Sequence, residues 1–215
     1  MRCVRSCVAL LLVTGCALTG TYLDARTPPA GTVTTAVLTR TAAGRNANTF
    51  PTVEAAASYS PTDDTSLHVR SMLASFGAEV AARWRFVHAS RIHLALAPSF
   101  AFAYWPASRG HEEDLDYQRL GPGLMLLTRM NVLATIDLGP VDLGLAGFAG
   151  ISRLPEMAVP AGDDAPYAFF NYEMQGVVPV AGAAIGIGRR IRPSLEWMRF
   201  VGHENVWTAT VVVEN

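Results

Sequence analysis

The densest group of possible metal ligands in the chain is His111-Glu112-Glu113-Asp114, four consecutive imidazole and carboxylate side chains. Imidazole and carboxylate are ordinary ligands of divalent cations. Side chains that are adjacent in sequence diverge, however, so four consecutive residues are poorly placed to share one ion. A solvated loop tip accounts for the cluster better, and the sequence predicts no metal site there.

Other residues with the chemistry of a site are also explained by local structure. Asp163-Asp164 lies between a Gly and a Pro, which is typical of a turn, and the spacing of an EF-hand is missing. The glycines of 182–188 lack the Lys and the following helix that a phosphate-binding loop requires. We expect hydrogen bonding rather than metal binding for three dispersed histidines: His68, His93 and His203. The sequence therefore predicts no cofactor.

The composition limits the class of protein. Half of the residues are hydrophobic and 16% are charged, with Lys+Arg at 17, Asp+Glu at 18 and a net charge of -1. A disordered chain would be poorer in apolar residues, and a nucleic-acid-binding protein needs a basic excess that is missing here. The three cysteines, Cys3, Cys7 and Cys16, all lie in the first sixteen residues. A disulfide framework or a Cys-based metal site in the remainder is therefore excluded.

The first fifteen residues have the pattern of a secretory signal. Arg2 and Arg5 precede the apolar run 8–13, which is far shorter than the roughly 20 residues that span a bilayer. The sequence Val13-Thr14-Gly15-Cys16 resembles the lipobox of bacterial lipoprotein precursors. That resemblance implies cleavage before Cys16 and acylation of its thiol and new amino group, and Ala17 is compatible with outer-membrane sorting. The alternative is an ordinary signal peptide with a chance Cys.

The rest of the chain alternates with the period of β-strands. The clearest case is 91–104, where one face is large and apolar and the other is small or polar. Residues 66–73, 79–86 and 190–197 repeat the pattern. Weaker strands are predicted at Thr32–Arg40, Thr52–Ser60, Leu120–Met130, Val141–Ile151, Val177–Gly188 and Val206–Glu214.

These segments predict about ten antiparallel strands, with eight as the main alternative. The longer connections lie near 41–50, 105–116 and 152–168. The shorter ones lie near 61–64, 89–90, 130–131 or 139–140, and 188–189. If the strands run up and down in sequence, these three long connections fall at one end and the short turns given above fall at the other. Membrane β-barrels show this asymmetry.

Three features favour a membrane barrel over a soluble one. The polar faces are rich in Ala, Gly and Ser, whereas a solvated surface carries about 25–35% charged residues. Aromatic residues fall near predicted strand ends, as in the girdles of membrane barrels: Tyr59, Tyr104, Trp105, Trp197 and Trp207. The polar faces also hold charges of both signs, which we expect to pair across a lumen: Glu54, Glu79, Asp142 and Glu196 with Arg70, Arg83, Arg85, Arg91, Arg190 and Arg192.

The layout of residues 16–105 resembles the uncharacterised bacterial outer-membrane β-barrel lipoproteins. The segment Tyr22–Thr27 follows the Cys, then Pro29-Ala30-Gly31, a strand with Glu54, and the turn 59–64. The segments 81–86 and 91–96 come next. The resemblance implies three regions: a signal peptide (1–15), a lipid anchor with linker (16–30), and an all-β, up-and-down membrane barrel (31–215).

A second resemblance offers an enzymatic alternative. The stretch Arg85-Phe86-Val87-His88-Ala89-Ser90 is similar to a segment of outer-membrane lipid A deacylases. That similarity implies Ser90 as nucleophile and His88 as general base. Arg91 departs from the pattern, because those enzymes carry Asn at that place. A strand end followed by a two-residue turn explains the same residues.

The sequence thus favours a non-enzymatic outer-membrane β-barrel lipoprotein, with a structural role or a small or lipidic ligand. The alternatives are the deacylase-like hydrolase and a soluble periplasmic barrel tethered by Cys16, with an apolar internal pocket. The expected partners are outer-membrane lipids and the barrel-assembly and lipoprotein-sorting machineries, with no nucleic acid. We expect a monomer.

Overall fold

The computed structural model describes residues 24–43, 52–72, 77–105, 123–154, 176–201 and 205–214. These form ten antiparallel strands closed into one barrel, in which each strand pairs with its sequence neighbours and β1 pairs with β10. The strands are β1 Val33–Ala43, β2 Thr52–Thr62, β3 Thr65–Met72, β4 Gly77–His88, β5 Ile92–Trp105, β6 Gly123–Asp137, β7 Asp142–Leu154, β8 Gly176–Ile187, β9 Ile191–Phe200 and β10 Asn205–Glu214. The described residues include no helix long and apolar enough to cross a bilayer.

The two ends of the barrel differ in their connections. Four short turns, at 63–64, 89–91, 138–141 and 188–190, lie at one end, which we call the turn end. The segments 44–51, 73–76, 106–122, 155–175 and 202–204 follow strand ends at the opposite, loop end. Gly139 and Gly188 have φ of +94° and +124°, which favours glycine in these turns. The predicted strand number and the predicted asymmetry of the ends are confirmed, and the eight-strand alternative is wrong.

The apolar faces of the strands point outwards. On β4, Val80, Trp84 and Phe86 are exposed, while Glu79 and Arg83 face the lumen and are buried. On β5, Phe100 and Phe102 are exposed, and Ala101 and Ala103, which alternate with them, are buried. The soluble-barrel alternative requires apolar faces around an internal pocket, and this orientation contradicts it.

The sixth strand is longer than predicted. The sequence placed its end at Met130, with Met130-Asn131 as one candidate turn, but β6 continues to Asp137 and the turn lies at 138–141. Asn131 faces the lumen and donates a hydrogen bond from Nδ2 to the Ala97 carbonyl oxygen at 2.5 Å. Its polar side chain therefore belongs to the barrel interior and does not mark a turn.

Candidate functional site

Six charged side chains with alternating signs cross the lumen, and we call them the ionic ladder. In order of contact they are Arg40, Glu54, Arg70, Glu79, Arg129 and Glu196. They come from β1, β2, β3, β4, β6 and β9, so both halves of the barrel contribute. Three arginines and three glutamates give the ladder no net charge.

The ladder is a continuous series of ion pairs. Arg40 Nη1 lies 3.2 Å from Glu54 Oε1, and Arg70 Nε lies 3.6 Å from Glu54 Oε2. Arg70 also pairs with Glu79. Arg129 Nη2 donates to Glu79 Oε1 at 2.8 Å, and Arg129 Nη1 lies 3.6 Å from Glu196 Oε1. All six side chains are at most 10% exposed, so solvent screens these interactions little.

An aromatic ring packs against Arg129, the third arginine of the ladder. The guanidinium carbon of Arg129 lies 5.1 Å from the ring centroid of Phe148, a cation–π geometry. Gly182 on β8 leaves room for that ring, since a Cβ there would lie 2.3 Å from Phe148 Cζ. The close approach of the ring therefore explains why residue 182 is a glycine. The sequence had only shown that this glycine does not belong to a phosphate-binding loop.

Apolar side chains fill the loop-end half of the lumen along β5 to β10. They pack together with at most 6% exposure each. The cluster comprises Ala101, Ala103, Met125, Leu127, Phe148, Val178, Val180, Met198, Phe200 and Val206. Water and ions therefore meet a close-packed apolar layer in this part of the barrel.

The residues before β1 enter the barrel at the turn end, and we call Asp24–Ala30 the N-terminal plug. Asp24 Oδ2 accepts a hydrogen bond from Arg192 Nη2 at 3.0 Å, and the Ala25 amide donates to Thr135 Oγ1 at 2.8 Å. Ala25 is fully buried in an apolar cluster with lumen residues of β5 to β8. The sequence assigned these residues to a linker, yet Asp24, Ala25 and Thr27 are buried at the turn end of the lumen.

Ion pairs and hydrogen bonds hold the plug against the barrel. Arg26 Nη2 pairs with Asp24 and with Asp142 Oδ2, the second at 2.5 Å. Arg83 Nη1 donates to the Arg26 carbonyl oxygen at 2.6 Å. Thr27 Oγ1 donates to the carbonyl oxygen of Asp63, in the turn between β2 and β3. The plug thus contacts residues of β4, β7 and that turn through both backbone and side chains.

The charges around Asp24 keep its carboxyl ionised. Burial raises the pKa of Asp24, but the hydrogen bond from Arg26 and the charges of Arg192 and Arg26 outweigh burial and hold that pKa below its usual range. Burial lowers the pKa of Arg26, and Asp24 and Asp142 more than reverse that effect. Both groups are therefore charged throughout the physiological range.

Little space is left between these layers. A cavity of about 40 Å³ lies beside the ladder, lined in part by Leu38, His68, Arg83, Asn131 and Leu133. Such a volume holds water molecules, whereas pockets for small organic ligands measure about 300–1,000 Å³. Within the described residues, the lumen is filled by side chains and the plug.

Seven of the ten charges that were predicted to lie in the lumen do so. Those that line the interior are Glu54, Arg70, Glu79, Arg83, Asp142, Arg192 and Glu196. Arg91 and Arg190 are exposed in turns, so their predicted place in the lumen is wrong. Arg85 pairs with Asp64 of the turn beside it, at 2.9 Å. Sequence reasoning missed Arg40, Arg129, Asp24 and Arg26. The first two share the inward period of β1 and β6, but the two faces of those strands differ too little for the sequence to show which is inward.

The residues of the hydrolase alternative lie at the turn end. His88 ends β4 and Ser90 lies in the following turn, both exposed. His88 Nδ1 is 3.8 Å from Asp64 Oδ1, but Arg85 donates two hydrogen bonds to that same oxygen. No hydrogen bond joins His88 to Ser90. Of the three predicted hydrogen-bonding histidines, His68 contacts Ser66 Oγ through Nε2 at 2.8 Å inside the barrel.

Several sequence predictions concern residues outside the described ranges. These are the signal peptide 1–15, the lipid attachment residue Cys16, the cluster 111–114, the pair 163–164 and His203. Among the described residues, no group of three or more His, Cys, Asp or Glu side chains is arranged to hold a metal ion.

The barrel is antiparallel, its exterior is apolar and its interior is ionic, and aromatic residues lie towards both ends of the exterior. This is the architecture of a membrane β-barrel. Tyr104 and Trp207 are exposed near the loop end, and Tyr59, Trp84 and Phe86 are exposed near the turn end. The predicted girdles are thus present among the described residues, and the fold defines this class of protein.

The chain matches no family model and no curated protein sequence. Among solved structures, it is similar to the outer membrane protein Ail of Yersinia pestis in a phospholipid bilayer nanodisc, at 14% identity over 86% of this chain and 100% of that chain, with a TM-score of 0.35. It is also similar to the translocator domain of the autotransporter NalP from Neisseria meningitidis, at 13% identity over 89% of this chain and 90% of that chain, with a TM-score of 0.39. Similarity at this level does not bear on function.

Proposed function

We propose that this chain is a non-enzymatic outer-membrane β-barrel lipoprotein whose filled lumen conducts no solute. Its role is structural: a rigid barrel in the membrane, anchored additionally by lipid on Cys16, which holds its loop-end segments at one membrane face. The observation that carries the proposal is the occupied lumen, where the ionic ladder, the apolar cluster and the plug follow one another.

The filled lumen bears on the choice between a structural and a ligand-binding role. A barrel of eight to ten strands has room for side chains or for one small ligand, but not for both. Here the side chains occupy that room and leave a cavity of about 40 Å³. We therefore favour the structural role over a ligand in the lumen.

The exterior favours insertion in a bilayer. Strands β4 to β7 have 12 to 15 residues, enough to cross the hydrocarbon layer at the usual tilt of membrane barrels. Outward positions carry Val, Leu, Ile and Phe in large numbers, and in water such a surface would aggregate. Lipid is the environment that this surface fits.

Gel mobility and vesicle permeability test the barrel part of the proposal. The detergent-solubilised protein is expected to migrate differently in SDS before and after boiling, because a closed barrel resists SDS until heated. Reconstituted vesicles that contain it are expected to release a small trapped dye no faster than empty vesicles. Unshifted mobility would contradict the membrane barrel, and dye release well above the empty-vesicle rate would contradict the sealed lumen.

Replacing Cys16 with Ala tests the lipid anchor. In cells supplied with labelled palmitate, the natural chain is expected to incorporate label and Cys16→Ala to incorporate none, because the lipobox resemblance places the acylated thiol there. Cys3→Ala is the matched control and should incorporate label normally. Equal labelling of the natural and Cys16→Ala chains would show that Cys16 is not the acylated residue.

The proposal contains no catalytic step. Ser90 and His88 lack the mutual hydrogen bond that would activate a nucleophile, and the neighbouring carboxylate of Asp64 is bonded by Arg85. The partners we propose are membrane lipids and the machineries that sort lipoproteins and assemble barrels, with the barrel itself a monomer.

A further inference from the structure

Two arginines interrupt the apolar exterior of the barrel. Arg153 on β7 and Arg199 on β9 occupy outward positions, and both are exposed. Among the described residues, no Asp or Glu stands at an outward strand position, and neither arginine has an ion-pair partner. Two guanidinium groups without an ion-pair partner thus face the membrane, one on each side of β8.

Both arginines lie at the loop end, at the depth of a membrane interface. Arg153 is the second-last residue of β7 and Arg199 the second-last of β9. Trp197 lies two residues before Arg199 on the same face, and its backbone partner Trp207 is exposed on β10. Aromatic residues of this kind sit at headgroup level, so the guanidinium groups reach the layer of lipid phosphates.

Strand β8 lies between the two arginines and carries no bulky outward side chain there. In the register, Arg153 is opposite Val177 and Arg199 is opposite Ala181, both on β8. The outward residue between them on β8 is Pro179. Two strand spacings across and four residues along place the arginine Cα atoms about 16 Å apart. Neighbouring lipid headgroups fit over this shallow surface.

We propose that Arg153 and Arg199 form a binding site for the phosphate groups of anionic lipids in the leaflet at the loop end. The inference rests on the proposed membrane location. Arginine binds phosphate through two parallel N–H donors, and because neither guanidinium has an ion-pair partner among the described residues, a lipid phosphate can supply the counter-charge.

At the turn end, the exposed arginines lie close to described carboxylates. Arg91 and Arg190 are exposed there, but Asp63, Asp64 and Asp137 are close to the same membrane face and supply negative charge. Arg189, for example, pairs with Asp137 at 3.0 Å. Because these turn-end arginines lie near described carboxylates, Arg91 and Arg190 provide a charge-matched control.

Lipid retention tests the site. The full chain is refolded into vesicles of equal parts phosphatidylglycerol and phosphatidylcholine and extracted into mild detergent, and native mass spectrometry counts both lipids that remain bound. The natural chain is expected to retain phosphatidylglycerol preferentially. Arg153→Gln/Arg199→Gln is expected to lower the retention ratio roughly tenfold to thirtyfold. Arg91→Gln/Arg190→Gln, with the same loss of charge, should keep the natural ratio.

The possible results distinguish failure of the lipid site from failure of the proposed membrane location. Failure of the natural chain to insert into any vesicle would contradict the proposed function. Normal insertion with equal retention of both lipids, or a ratio unchanged in Arg153→Gln/Arg199→Gln, would overturn the site. If that variant does not insert, Arg153→Lys/Arg199→Lys replaces it. An intermediate ratio is then expected, because lysine keeps the charge but loses the paired donors, and an unchanged ratio would count against the site.

Discussion

Replacing Glu79 with Ala is expected to lower the free energy of unfolding by about 3–5 kcal/mol, the range for breaking a buried ion pair from one side. Glu79 is the shared partner of Arg70 and Arg129, and all three are buried. Without it, the ladder holds three arginines and two glutamates in a lumen with little water. Urea unfolding of the vesicle-inserted protein, followed by tryptophan fluorescence, measures the change.

The double variant Arg70→Met/Glu79→Met is the matched control. It removes one charge of each sign and leaves two intact pairs, Arg40 with Glu54 and Arg129 with Glu196. Replacing a buried pair by apolar side chains of similar volume is often neutral or stabilising, so the double variant should cost less than half as much as Glu79→Ala. A double variant that is as unstable as the single one would show that the packing of these side chains, and not charge balance, stabilises the lumen.

Replacing Asp24 with Asn is expected to release the N-terminal plug. The buried carboxylate binds Arg192 and Arg26, and its loss is expected to cost about 3 kcal/mol of docking energy, the lower end for a buried pair. The undocked population then rises roughly a hundredfold. In detergent, trypsin cleavage after Arg26 should accelerate in proportion, because cleavage follows the open population. Mass spectrometry detects the fragment that ends at Arg26.

A second Asp→Asn change at the same end controls for the lost charge. Asp137 pairs with Arg189 at the exposed surface of the turn end, where solvent screens the pair. Asp137→Asn should leave cleavage after Arg26 nearly unchanged. Equal cleavage in the natural chain and in Asp24→Asn would mean that backbone contacts alone hold the plug.

The plug also has a defined response to acid. Because the pKa of Asp24 is lowered on folding, its contribution to stability is complete above its unfolded value of about 3.9 and declines as the pH falls below that value. The difference in thermal stability between the natural chain and Asp24→Asn should therefore be constant from pH 5 to 8. It should shrink only below about pH 4.

Most of the barrel could be predicted from the alternation of side chains. On β4, β5 and β9 a large apolar residue follows a small or polar one, and this contrast identified both the strands and the inward charges Glu79 and Glu196. On β1 and β6 the contrast fails. On β1, outward Val and Thr alternate with inward Thr34, Ala36 and Leu38, and on β6 inward Met125 stands between outward Leu124 and Leu126. Arg40 and Arg129 were missed for that reason.

The plug could not be predicted by local rules. Asp24-Ala25-Arg26 precedes two prolines and shows no period, which is typical of a linker. Its partners Thr135 and Arg192 lie 110 and 168 residues further along the chain from Ala25 and Asp24 respectively. Only closure of the barrel brings these groups to the same end of the lumen, so the site exists in the tertiary structure alone.

The route of the ladder around the barrel also constrains how the protein is assembled. Its charges come from the first four strands and from β6 and β9, so a sheet that lacks its last hairpin presents Arg129 without Glu196. Such a sheet holds three ladder arginines against two glutamates, and this excess positive charge opposes its entry into the bilayer. Membrane insertion is thereby coupled to completion of the ring, and the last two strands complete the charge balance that makes the molecule compatible with lipid.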